Sequence, residues 1–282
     1  MTRGDIAVHK VHKFVGKCIY CGSTENLHDE HCIPESLNGV RLLDKGSCGD
    51  CGRITSQFEG GYARDSMLPV RTAWNMKSKR SKKKRPTEFP MKFIKNGEET
   101  ITNVPVEAHY SAVPMVEIGP PGEYATLRHA QGLKHGECQI KPFFIRPLEH
   151  IEYLKQKYNA DDIGVDFHID IFGFLRIIAK IAYCTTIWTY GLSAIAEAYV
   201  VPAILGTKND ILQWVGSDGK QETYYDSKHM NTDHMVETWH DEDGRLFARV
   251  KLFKKSFTPE YIVVVGQMKE GALGLYRSLG RK

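Results

Sequence analysis

Apolar positions along this chain change their period from segment to segment, and each period predicts a different element. Ile54, Phe58 and Tyr62 stand four residues apart, as one face of a helix requires, so residues 54–63 are expected to be helical. Upstream, Lys17 to Leu27 leads into a strand over residues 28–34, and Asn38-Gly39 is a turn signal. The local order is strand, turn, strand, helix. Residues 91–106 alternate as a strand pair does, with Asn96-Gly97 as the hairpin turn. Gly119-Pro120-Pro121-Gly122 breaks the pattern, and Leu148 to Tyr158 reads as helix. The most apolar stretch runs from Ile169 to Leu205. Asp170, Arg176, Lys180 and Glu197 interrupt it, and such charges are costly in hydrocarbon. Two buried core helices split near Tyr190-Gly191 are therefore expected, not a membrane span. Residues 247–253 and 261–265 are β-branched and aromatic runs that predict strands. The fold class is α+β, and no internal repeat is visible.

Size refines this picture only slightly. The 282 residues suit one large domain or two modest ones. Residues 1–75 read as a small N-terminal module opened by a basic arm, 76–90 as a basic linker, and 91–282 as a larger α+β domain. Charge is more telling. Residues 1–90 hold 16 Lys and Arg against 10 Asp and Glu, while the remainder holds 22 against 24. The positive field lies with the N-terminal module, as a polyanionic partner would favour. Seven cysteines and a polar, basic start without a signal peptide point to a reducing, cytoplasmic setting.

Four of those cysteines form two pairs, Cys18-x-x-Cys21 and Cys48-x-x-Cys51, each followed by glycine. Two such turns can close a tetrahedral site of four thiolates around Zn2+, which would staple a small unit. Such a site is structural, because four thiolates leave no open coordination position. Between the pairs lies Asp29-Glu30-His31-Cys32-Ile33-Pro34, where an acid next to a histidine can supply a metal ligand and a general base.

The segments Cys18-Ile19-Tyr20-Cys21-Gly22, Asp29 to Gly39 and Ser47-Cys48-Gly49-Asp50-Cys51, continued by Thr55 and Phe58-Glu59, resemble the HNH endonuclease family over about residues 15–60. The resemblance implies a ββα-metal module that hydrolyses phosphodiester bonds in DNA. His31 would be the general base and Glu30 would hold a catalytic Mg2+ or Mn2+. The family pattern also implies an asparagine that orients the base and a final histidine or asparagine ligand. Asp44, Lys45 and Gly52 stand near those places here, leaving Asp29, Asp50 and Thr55 as substitutes and His28 as a helper. A zinc-stabilised nucleic-acid-binding protein without cleavage is the alternative, and a protein-interaction module a third.

Lys77, Lys79, Arg80, Lys82, Lys83, Lys84 and Arg85 form a run without an apolar residue, which reads as a phosphate-backbone clamp or a solvated linker. Arg71 and Trp74 precede it. Further on, His229, His234 and His240 with Asp233 and Asp241 read as a polar loop. Arg176 and Lys180, one helical turn apart, suggest an ion pair with a buried acid. Regulation, targeting and self-association as a homo-oligomer remain open for the second half.

Overall fold

The computed structural model describes residues 9–78, 84–124, 126, 128–166, 168–220, 233–254, 256 and 258–279. The chain opens with strands β1 (Val11–Phe14), β2 (Leu27–His31) and β3 (Arg41–Cys48), followed by helix α1 (Gly49–Gly61). β3 is central, with β1 parallel on one side and β2 antiparallel on the other. Part of the expected basic arm is thus a strand. A π-turn over Tyr62–Ser66 and the short helix α2 (Leu68–Ala73) end this region.

Next come β4 (Glu88–Lys95), β5 (Glu98–Pro105), β6 (Ala112–Ile118), β7 (Cys138–Phe144), α3 (Glu149–Tyr158) and β8 (Asp162–Gly164). The β4–β5 hairpin turns at Asn96 and Gly97, both with positive φ, as the sequence signal requires. β4 starts inside the stretch read as linker, and Pro90 pairs with Asn103 within the hairpin.

Helix α4 (Ile171–Tyr190) organises the rest. Asp170 caps its start by accepting from the Gly173 N–H, and Gly191, at φ +85°, ends it. Its length and composition would suit a membrane span, yet 78% of its apolar window is buried inside the protein. Side chains from Phe174 to Ile187 are apolar nearly all round, which marks a core helix.

After it follow β9 (Ile195–Ala198), α5 (Val201–Leu205), α6 (Ile211–Trp214), β10 (Val215–Ser217), β11 (Met235–His240), β12 (Arg245–Lys251), β13 (Glu260–Met268) and α7 (Glu270–Leu279). The second long helix expected here does not form. Ile195 to Ala198 pair with β13 instead, and the short α5 that follows starts with Pro202 in its first turn and ends at Gly206, at φ +73°. β11 likewise replaces part of the expected polar loop. It is an edge strand whose partner is β12, so polar residues along it meet solvent. His229 lies outside the described residues.

α4 packs on β12 and β13 of this sheet and also on α1. One buried cluster accordingly runs from Cys18 through Leu43, Phe58 and Ile181 to Val263 and Met268. Residues on both sides of the stretch 76–90 share it. A smaller cluster of Met91, Phe93, Val104, Tyr110 and Leu154 lies under the β4–β5 hairpin and α3. Two polar ties reinforce the larger core. Lys13 Nζ donates to the carbonyls of Ile187 and Trp188 at the end of α4. Half-buried His234 donates from Nε2 to the Leu37 carbonyl at 2.8 Å and accepts at Nδ1 from the Phe253 N–H.

Because the core is shared, Ile181→Ala is expected to destabilise the whole protein by about 2–5 kcal/mol, the usual cost of emptying a buried aliphatic site. In a urea titration, the circular-dichroism and tryptophan-fluorescence transitions should coincide. Separate transitions would contradict a common core.

Candidate functional site

Two neighbouring constellations occupy the N-terminal region. The first is the cysteine cluster. Cys18 and Cys21 lie on a tight turn after β1, closed by the Gly22 N–H to the Cys18 carbonyl, with Gly22 at φ +79°. Cys48 ends β3 and is the N-cap of α1, and Cys51 lies in the first turn of that helix. The four Sγ atoms fall within 4.8 Å of one another, and Cys21 and Cys48 are 3.6 Å apart. A zinc–sulfur bond of about 2.3 Å gives a tetrahedral edge of about 3.8 Å, so the cluster has the dimensions of a zinc site. The start of α1 also suits thiolates electrostatically. The Cys51 N–H draws the Cys48 thiol down to about 7, against the effect of its burial. Burial pushes Cys51 itself up. Among the described residues, this is the one group of His, Cys, Asp and Glu close enough to hold an ion.

The second constellation surrounds His31, at the end of β2. The β2–β3 ladder is irregular between His28 and Glu30: His28 faces Ser47, while Glu30 faces Leu43. The excess lies on β3, where Asp44, Lys45 and Gly46 stand opposite Asp29 alone; the Asp29 carboxylate accepts from the Lys45 N–H at 3.1 Å, where Lys45 has φ +56°. Beside this irregularity, His28, Asp29, Glu30 and His31 all line one cleft of about 320 Å³. Helix α1 forms the other wall through Gly52, Thr55, Ser56 and Glu59, positions that recur on one helical face.

The His31 ring is half-buried, and its Nε2 is buried without a hydrogen-bond partner. Burial, then the positive charges of Lys180 and Lys10, lower its pKa below the ordinary histidine value. The ring is therefore neutral near neutral pH. A second cleft of about 950 Å³ continues from it, sharing Asp29, His31, Ser56 and Glu59 and adding Arg64, Lys77 and Arg85. Acids line the wall at His31, and cations line the extension.

Glu30 is buried and paired. Its Oε1 lies 2.6 Å from Lys180 Nζ of α4, and Glu59 Oε1 lies 2.8 Å from the same nitrogen. Lys180 also donates to the His31 carbonyl. Burial opposes the Lys180 charge, but the two carboxylates outweigh it and hold its pKa well above the usual lysine value. Burial pushes Glu59 up, with Lys180 acting in the opposite direction. These acids do not fit a catalytic divalent ion as they stand. An ammonium already lies against both, and the side-chain ligand atoms of His31, Glu30 and Glu59 do not converge as those of the cysteines do.

The other sequence candidates divide by position. Thr55 spends its hydroxyl on the Gly52 carbonyl, and exposed Asp50 pairs with Arg53 at 3.5 Å. Asp44 binds His12 at 2.7 Å, and Asn38 accepts from the Lys77 N–H. Arg71 is committed to three carbonyls, those of Ser36, Ala63 and Lys77, so it positions the cleft wall. Trp74 packs on Phe253, with ring centres 5.4 Å apart, and is core. Of the basic run, Lys77 and Arg85 line the larger cleft, Lys84 does not, and Lys79, Arg80, Lys82 and Lys83 lie outside the described residues. Arg176 donates to the Ile204 carbonyl and covers the Phe58 ring, whereas Lys180 makes the expected pair with a buried acid, Glu30, and adds half-buried Glu59. The role of Glu59 escaped the residue pattern, although it lies one helical turn beyond Thr55 on the same face.

No family model, curated protein or solved structure matches this chain.

Cys48→Ser should reduce bound zinc from about one ion per chain and unfold the region around β3 and α1, since three thiolates no longer close the shell. Elemental analysis together with circular dichroism measures both. Full zinc content in the variant would remove the cluster from this role.

Proposed function

We propose that this protein is an endonuclease of the HNH type that hydrolyses phosphodiester bonds in DNA. The observation that carries the reading is His31: a neutral imidazole whose Nε2 has no protein partner, at the head of a cleft lined further along by Arg64, Lys77 and Arg85. A neutral ring nitrogen can take the proton of a water, and the hydroxide so formed can attack phosphorus in line with the leaving oxygen. The cations along the larger cleft would hold the phosphodiester backbone, as charge without base specificity does. On this reading the cysteine cluster holds a structural Zn2+, anchoring β3 and the start of α1 behind the acid-and-histidine wall. A cytoplasmic location accords with thiolates kept reduced for metal.

The family resemblance implies a requirement for Mg2+ or Mn2+ held by Glu30. Lys180 stands against that carboxylate, which favours a second reading: a zinc-stabilised protein that binds nucleic acid without cutting it. Plasmid DNA incubated with the protein and Mg2+, Mn2+ or EDTA separates the two. The nuclease reading expects nicking or linearisation by the parent and a loss of at least about 100-fold in His31→Ala, the scale of general-base contributions. Retarded but intact DNA under every metal condition would establish the second reading.

The acid limb of the pH–rate profile should fall below about pH 6.5, the ordinary histidine value. Burial and the nearby cations disfavour the imidazolium, so the base stays available to lower pH than a solvated histidine would. A limb centred above pH 7 would exclude His31 as the base.

A further inference from the structure

Helix α4 places Lys180 on the two glutamates of the His31 site, and its surroundings are those of a bound cation. Glu30 Oε1 lies 2.6 Å from Nζ and Glu59 Oε1 lies 2.8 Å from it, both at ion-pair distance, and the His31 carbonyl accepts a hydrogen bond from it. Two carboxylates and a main-chain carbonyl are also a donor set that hard divalent ions accept. Lys180 is completely buried. Without a cation between them, the two carboxylates would repel each other where water cannot screen them.

We propose that Lys180 is the resident cation of this site. Tethered through α4, it holds the place a divalent ion would take between Glu30 and Glu59. A metal must compete there with an ammonium that cannot diffuse away. Lys180 is a positioning residue: through the His31 carbonyl it fixes the backbone that carries the imidazole, and through Glu59 it draws α1 towards β2. Its neighbours come from every element around it: Glu30 and His31 from β2, Glu59 from α1, Cys184 one turn further along α4, and Tyr20, whose hydroxyl meets the Cys184 sulfur at 3.7 Å. This rests on the geometry of the His31 site and does not depend on DNA being cut.

Manganese binding tests it. The full-length, zinc-loaded protein is titrated with Mn2+ while the paramagnetic resonance of the free ion is followed. Wild type should show no Glu30-dependent site with a Kd below about 100 µM. Lys180→Ala, which leaves the acids without their ammonium, should bind Mn2+ at least about ten-fold more tightly than wild type, a change of about 1.4 kcal/mol. The added Glu59→Gln substitution should abolish that gain. Two results would overturn the proposal: a tight wild-type site lost in Glu30→Gln, or a folded Lys180→Ala that binds no more tightly than wild type. Circular dichroism and zinc content report folding. Should Lys180→Ala fail to fold, the wild-type and Glu30→Gln titrations decide alone, with a Glu30-dependent tight site refuting the proposal and none supporting it. Neither outcome is altered by the plasmid assay, so failure of the nuclease reading and failure of this one are distinguishable.

Discussion

A lysine ammonium with no solvent exposure is among the most demanding groups a protein can bury, and Lys180 imposes its demands on three separate elements. It needs oxygen on every side. β2 supplies a carboxylate and a carbonyl, α1 a second carboxylate, and α4 the ammonium itself. Removing one partner of such a buried group typically costs about 3–5 kcal/mol, a substantial part of a domain's whole stability. The zinc-sized cysteine cluster and the C-terminal sheet can be viewed as supports at either end of this contact. The first fixes where β3 passes into α1, and the second provides the surface on which α4 lies.

This arrangement also explains why charge and hydrophobicity mingle in α4. A helix buried nearly all round has little use for a cation unless an acid awaits it, and here two do. The same burial that makes the pair costly if broken makes it directional. Bonded to the His31 carbonyl and ion-paired with Glu30 and Glu59, the ammonium ties the strand carrying His31 to the helix carrying Glu59. The imidazole lines the cleft while its Nε2 stays buried without a hydrogen-bond partner.

Much of this was legible in residue spacing. Local signals worked where they were strong and self-contained: the cysteine pairs, the Asn96-Gly97 hairpin, the Gly191 stop of α4, and the β-branched runs that became β12 and β13. They failed where a distant partner decided the conformation. Residues 195–198 carry no dominant period of their own and become a strand because β13 offers an edge. The β3 bulge sets three residues opposite Asp29 alone, which a period-two reading of β2 cannot anticipate. The candidate site shows the same division. Glu30 and His31 stand out as neighbours in sequence, whereas Glu59 and Lys180 join them only through packing. The guess that Lys180 would meet a buried acid was sound chemistry, but nothing in the spacing told which acid.

The Lys13 contact at the far end of α4 takes on meaning beside Lys180. One helical turn advances the axis by about 5.4 Å, so a helix can in principle slip along a greasy surface in discrete steps with little change in apolar contact. α4 is pinned against such a slip at three heights: Asp170 at its start, Lys180 midway, and Lys13 clasping the carbonyls of Ile187 and Trp188 at its end. Lys13 belongs to β1, which lies beside β3 in the same small sheet as β2. The sheet that carries the histidine therefore grips the helix that carries the ammonium at two heights at once, and works as a vernier: a displacement at one mark is felt at the other.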